Sequence, residues 1–459
     1  MRKKKNAVLM VSEAPAIALD RAITSTTTIS KKISDDPMVK RTKDYWHALG
    51  PGLTTGASDD DPSGIATYSQ AGAQFGFNLL WLAPLTFPLM AVIQEMCARI
   101  GLVTGRGLAG NIRLHYPRRV LIICTLLLFS ANAINIGADL GAMAKAVQLL
   151  IPGMDFTALV VGFAVFSLGL QIFTDYSRYA RYLKWLALVL LAYVASALMA
   201  GLNWGDVIHG SVTPHVSFTA SWWLLVCAIL GTTISPYLFF WQTSQEVEEE
   251  IARGKRLLRA RRGTTKQDVR RMRVDVWSGM FLSNLVMFFI IAACGAILHT
   301  NGITEITSAE QAAEALRPFA GDVTYALFAL GIIGTGLLAI PVLAGSSSYA
   351  LSEAFRWKEG LYRPLRQAHA FYGVIILSMF AGLGMNFIGI DPIKALLYAA
   401  IVNGLVAPVI LLLIVRMSSS SKVMGNRTNR RVTTLIGWTT TLLMTAAGVA
   451  AVVALALQG

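Results

Sequence analysis

The sequence predicts an all-α polytopic membrane protein, and three observations carry that reading. Hydrophobic residues make up 54% of the 459 and charged ones only 14%, with a mean hydropathy of +0.55. That is too few charges to clothe a soluble chain of this length. Several apolar runs, such as 120–148 and 274–298, reach the ~20 residues that cross a bilayer as a helix. Basic residues also alternate between loops. They crowd the first 43 positions, then 99–119, 178–184, 253–273, 356–366 and 416–431, whereas the loops near 73–78, 150–157, 202–220 and 299–320 hold almost none. Lysine and arginine accumulate on the cytoplasmic side of spans, so the alternation predicts an N-terminus inside and an odd number of spans. It also accounts for the net charge of +14 through topology and anionic lipid, with no nucleic acid as partner.

Residues 1–44 are polar and basic, and their apolar runs are too short for a signal-peptide core. They read as a disordered cytoplasmic arm. Spans follow at 47–71, 79–103, 119–149, 155–172, 182–201, 221–246, 273–298, 321–354, 368–386, 392–416 and 432–456. An odd count places the C-terminus outside, in a plasma (inner) membrane protein. The eighth segment exceeds one crossing, and its end, 349–357, is expected to project into the cytoplasm. The loop 246–272 is acidic at Glu246, Glu248, Glu249 and Glu250 and basic afterwards, and it reads as a solvated helix extension with intrahelical ion pairs. Cys97, Cys124, Cys227 and Cys294 show neither disulfide nor zinc spacing and read as free buried thiols.

Two spans are broken. In the first, Asp59, Asp60 and Asp61 precede Pro62-Ser63-Gly64. A carboxylate at bilayer depth costs at least about 2.5 kcal/mol, so an acid there marks a functional site. In the sixth, Gly231-Thr232-Thr233-Ile234-Ser235-Pro236-Tyr237 removes a backbone donor at Pro236 and supplies hydroxyls for the freed carbonyls. A lone proline would be a kink. Two breaks five spans apart, one of them acidic, are the pointer to an inverted-repeat transporter whose site lies where the breaks meet.

The first break and its flanks also carry a resemblance. Gly50-Pro51-Gly52, Asp61-Pro62-Ser63-Gly64, 70–76, Leu79-Leu80-Trp81 and 101–105 resemble the first two spans of the NRAMP divalent-metal transporters, whose usual signature is Asp-Pro-Gly-Asn. The resemblance implies a LeuT-like fold of two inverted five-helix repeats, 45–201 and 202–416, followed by a linker and an eleventh helix over 417–459. It implies divalent cation transport by alternating access. By position, Asp61 is the carboxylate ligand, Gly64 replaces the family's Asn, Thr232 supplies the carbonyl, Ser235 replaces the Met and Tyr237 replaces the His.

Losing the thioether leaves an oxygen-only site, suited to Mg2+ or Mn2+. Gly64 leaves it wider, with room for part of a hydration shell, as Mg2+ prefers. The NRAMP-related magnesium transporters also lack the Met. The other reading is that Asp61 and carbonyls still bind Mn2+ with less discrimination.

The family's third-span Asp-Leu-Ala-Glu reads Asp139-Leu140-Gly141-Ala142 here. With that Glu and the span-six His both gone, proton coupling is expected to be weak or absent, and the alternative is proton-coupled Mn2+ or Fe2+ transport of the ordinary type. Asn284 and Asn403 are further site candidates, while Asn132 and Asn135 read as helix glue. Asp59 and Asp60 are expected to line an aqueous vestibule, to ligate directly, or to bond the unwound backbone. A sodium-coupled organic-solute symporter on the same fold is the second function class, disfavoured because a wall of acids repels an organic anion. A membrane enzyme has no catalytic motif behind it. No cofactor is expected beyond the transported ion, and no pattern fixes the oligomeric state, so a monomer is compatible.

Overall fold

The computed structural model describes residues 45, 49–174, 176–199, 201–217, 219–306, 309–388 and 392–458. The arm expected over 1–44 lies outside them. The chain divides at Leu49, and the body described below is Gly50–Gly459.

The first span is two helices, α1 (Pro51–Asp59) and α2 (Pro62–Phe75). Then come α3 (Leu82–Thr104), α4 (Arg118–Leu150) and α5 (Phe156–Phe173). The fifth span is α6 (Tyr176–Leu186) and α7 (Leu191–Met199), joined by a 3-10 turn. The sixth is again split, into α8 (Ala220–Thr233) and α9 (Pro236–Ala252). The remainder are α10 (Lys266–Ile297), α11 (Ala309–Phe355), α12 (His369–Met385), α13 (Pro392–Ser419) and α14 (Arg431–Gln458). Nine helical runs among the described residues are long and apolar enough to cross a membrane. The shorter α12 and the split first span add the other two of the expected eleven.

Three local expectations need correction. The fifth span's helix starts at Tyr176, ahead of residue 182, because the basic turn with Arg178 and Arg181 continues the helix. The eighth segment's excess length includes an N-terminal stretch from Ala309, bent at Gly321, where φ is 83°. In the stretch 349–357 expected to project, Tyr349 is buried while Phe355 and Trp357 are exposed. The acids of α9 are not solvated either, since Glu246, Glu248 and Glu250 are all buried. Glu248 accepts hydrogen bonds from the Tyr349 hydroxyl at 2.6 Å and from the Leu361 amide at 2.9 Å, and Glu250 pairs with Arg253 and Lys255. Partners on neighbouring segments replace water at Glu248, while Arg253 pairs with Glu249 and Glu250 within the turn as the expected intrahelical pairs. A cavity of about 110 Å3 sits beside this cluster, lined in part by Arg261, Glu353 and Glu359. Burial pushes the Glu359 carboxyl up to about 7 against the opposing pull of Arg113 and Arg261.

What positions the functional region is α10. Asp275, Gly279 and Ser283 recur every fourth residue, which puts them on one helix face. That face runs the length of α1. The Asp275 carboxylate accepts from the amides of Gly50, Gly52 and Leu53 at 2.7, 2.7 and 3.1 Å, so it caps the N-terminus of α1 with negative charge. At Gly279 the two backbones touch: a Cβ there would lie 2.0 Å from the Gly52 carbonyl, and one on Gly56 would lie 2.2 Å from the Gly279 carbonyl. Four residues further on, Ser283 reaches the break itself.

Candidate functional site

Proline at N1 starts a helix without needing a donor. Pro62 does so for α2 and Pro236 for α9, and each leaves an unwound pair of residues ahead of it. Asp60 and Asp61 form the first break, Ile234 and Ser235 the second. Asp61 is the N-cap of α2, and its Oδ1 accepts from the Gly64 amide at 2.8 Å. Ser63 also lies within hydrogen-bonding reach of this carboxylate. The carbonyl ends of α1 and α8 and the acids together make the region favourable for a cation.

The structure brings the two breaks together. The Tyr237 hydroxyl, at the start of α9, donates to the Ser58 carbonyl near the end of α1 at 2.7 Å. Tyr68 on α2 shares a hydrogen bond with Thr233 at the end of α8, 3.3 Å apart. Each broken helix is thus tied to the other by a tyrosine. Residues 52–69 are all buried, as are Thr232, Ser235 and Tyr237, so the region is occluded in this conformation.

Ser235 spends its hydroxyl proton locally, on the carbonyls of Gly231 at 2.8 Å and Thr232 at 2.6 Å. Its oxygen lone pairs stay available. The Thr232 carbonyl therefore already accepts one bond and has one lone pair left. Gly64 does not simply open space, because a Cβ there would lie 3.0 Å from the Thr232 hydroxyl. Some of the room left by the missing Asn side chain is met by Thr232 from across the break.

The remaining candidates separate. Asp139 on α4 is wholly buried, within electrostatic reach of Asp61, and its nearest hydrogen-bond donor is the Ser63 backbone amide beside the first break. Asn403 on α13 is buried with both amide atoms unpartnered among the described residues, on the stretch where Gly404 packs against Gly231 of α8. Asn284 is engaged elsewhere. Its carbonyl accepts from Thr86 of α3 at 2.8 Å, and its amide donates to Met280 and approaches the Met90 sulfur. Asn132 joins α4 to α11 through Leu343, Ser346 and Ser347.

Asp59 and Asp60 are fully buried and face Ser283. Neither Ser283 nor the α1-capping Asp275 stood out in the sequence. The signal that could have found them is the four-residue spacing from Asp275 through Gly279 to Ser283.

The Nramp family model, described as natural resistance-associated macrophage protein-like, matches residues 52–454. The chain belongs to the Nramp family. It is similar to the divalent metal cation transporter MntH of Klebsiella pneumoniae subsp. pneumoniae, 26% identical over 360 residues that span 77% of this chain and 81% of that protein. Among solved structures it resembles the Eremococcus coleocola manganese transporter in complex with an aromatic bis-isothiourea compound. The TM-score is 0.68 at 20% identity, covering 88% of this chain and 86% of that one. A more distant likeness joins it to Mhp1, a nucleobase-cation-symport-1 family transporter, with a TM-score of 0.55 at 14% identity over 88% and 91% of the two chains. The Nramp chain thus has the LeuT-like fold of two inverted five-helix repeats plus an eleventh helix.

Proposed function

We propose that the protein carries divalent metal cations across the membrane by alternating access. The ion binds where the breaks meet, at Asp61, the Thr232 carbonyl and Ser235, with waters completing its shell. The observation that carries this reading is the occluded Asp61 carboxylate at the meeting of the two breaks, held by the Gly64 amide and reached by none of the ion pairs among the described residues. The transported ion would supply its missing counter-charge. The names of the relatives, a divalent metal cation transporter and a manganese transporter, support the substrate class.

With no sulfur in the set, the site favours hard or borderline cations, Mg2+ and Mn2+, over soft ones. In the cell we place the protein in the plasma (inner) membrane with the basic loops inside. Transport driven by the ion gradient alone follows from Tyr237 and Ala142 standing where the family has titratable groups. Proton-coupled Mn2+ or Fe2+ transport is the second reading. It is favoured by one observation, that the Asp139 carboxylate is retained, buried and within electrostatic reach of Asp61.

The test is Mn2+ influx into proteoliposomes at fixed pH, with and without millimolar Mg2+. Strong competition by Mg2+ is expected, and unimpeded Mn2+ entry would return the protein to the transition-metal role. Asp61→Ala should abolish influx in a protein that still folds, and unchanged influx would sink the site. Influx that acidifies the lumen in step with Mn2+ would establish the proton-coupled reading.

A further inference from the structure

A larger cavity lies away from the breaks, at the end of the molecule that carries the basic loops. Its volume is about 600 Å3, within the ~300–1,000 Å3 range of small-molecule sites. Four membrane crossings end around it. Val103 lies in the last turn of α3, Lys266 opens α10, and Val423 to Arg427 belong to the short link between α13 and α14. A cavity framed by span ends sits at the edge of the bilayer, where headgroups are.

Its walls are tied together. The Gly263 amide donates to the Val103 carbonyl at 3.0 Å, and the Arg427 guanidinium donates to the Thr264 carbonyl at 3.1 Å. Within the link, Met424 is buried. The Asn429 amide donates to Ser418 Oγ at 2.9 Å, and its carbonyl accepts from Arg99 of α3. The link is thereby held against α3 and the start of α10, and the concavity is built in.

The charge around it has one sign. Lys266 and Arg427 line the cavity, and no acid does. The sequence has no Asp or Glu over 392–459, and Asp268 is the only acid over 254–274. That carboxylate is spent on the cap of α10, where it accepts from the Thr265 hydroxyl at 2.7 Å and amide at 3.1 Å. None of the ion pairs among the described residues reaches Lys266, Lys422, Arg427, Arg430 or Arg431. Topology asks for basic residues on one side of the membrane. It does not ask that two of them, from separate segments, share one acid-free cavity.

An apolar surface adjoins the charged one. Helix α14 starts at Arg431, directly after the link, and exposes Val432, Leu435, Trp438 and Leu442 over its following turns. A charged rim above an apolar stripe fits a molecule with an anionic head and an apolar tail, and basic pockets between spans are where such heads bind.

We propose that this cavity binds the phosphate group of an anionic phospholipid, clamped by Lys266 and Arg427, with its acyl chains along the exposed face of α14. Arg427 supplies planar N–H donors and Lys266 a point charge. The bound head braces the start of α10, the helix that holds α1 through Asp275. None of these residues belongs to the ion site, so the proposal stands whatever ion is carried.

The test is lipid binding to the purified full chain in neutral detergent, read by native mass spectrometry. Phosphatidylglycerol is expected to bind about tenfold more tightly than phosphatidylcholine, the effect of one charge-assisted hydrogen bond. Lys266→Gln with Arg427→Gln should remove that preference. Arg259→Gln with Arg270→Gln takes away the same charge outside the cavity and should keep it. Equal loss in both double variants would overturn the site, because charge anywhere on that face would then suffice. If the Arg427 change unfolds the link, Lys266→Gln alone decides, and an unchanged preference there would overturn the proposal. Thermal unfolding separates the two sources of phosphate. Phosphatidylglycerol should raise the midpoint and inorganic phosphate should not; an equal rise with inorganic phosphate would overturn the lipid assignment in favour of a soluble anion.

Discussion

Ser235 and Gly64 set the chemistry of the site one residue at a time. A serine at 235 bonds the Gly231 and Thr232 carbonyls, which a methionine cannot do. Ser235→Met should therefore release those carbonyls and add a soft sulfur. In liposomes, Cd2+ should then inhibit Mn2+ influx about tenfold more strongly and Mg2+ less; unchanged inhibition by both ions would show that residue 235 does not meet the substrate. At position 64 the neighbour is the Thr232 hydroxyl, 3.0 Å from an added Cβ. Gly64→Asn should destabilise the protein by about 1–3 kcal/mol through overpacking, measured by thermal unfolding, and adding Thr232→Ala should recover much of that loss. Failure of the second change to help would mean that the crowding comes from the Asp59 carbonyl, 3.3 Å away.

Among the elements, α10 acts as a rail for the first half of a broken helix. Asp275 holds the first amides of α1 while Gly279 lets the backbones touch. Asp275→Asn keeps the shape and one acceptor but loses the charge, at a cost of about 2 kcal/mol. Hydrogen exchange should show the amides of Gly50, Gly52 and Leu53 opening roughly 30-fold faster while α4 is unchanged. Exchange that rises equally in both places would indicate global destabilisation instead. Gly279→Ala leaves no way for the side chain to fit without separating the helices, since the obstacle is backbone. A loss of about 3 kcal/mol, the upper end for overpacking, should appear as poor recovery of folded protein in gel filtration.

Taken as a whole, the molecule holds four buried aspartates around its first break, Asp59, Asp60, Asp61 and Asp139, with no basic partner for them among the described ion pairs. The basic residues gather in the loops and toward the helix ends, where topology needs them. A divalent cation that binds only the folded state should stabilise it by about 2.7 kcal/mol at a hundred times its dissociation constant. Thermal unfolding in detergent should shift upward with Mg2+ or Mn2+ and little with choline. Ion-independent melting would mean that the acids are neutral in the folded protein.

Sequence alone determined the class, the spans and the two breaks, because each rests on local facts: an apolar run long enough to cross, a proline without a donor, a basic loop. The motif Asp61-Pro62-Ser63-Gly64 was equally local, and family membership followed from it. Tertiary structure alone decided what faces what. Glu248 of α9 read as solvated until Tyr349 and Leu361, about a hundred residues away in the chain, arrived as its partners. Asn284 turned to α3, and Ser283, its neighbour in sequence, turned to Asp59 and Asp60. The physical reason is that a helix shows its neighbours on different faces. Spacing tells which residues share a face, and only packing tells what that face meets.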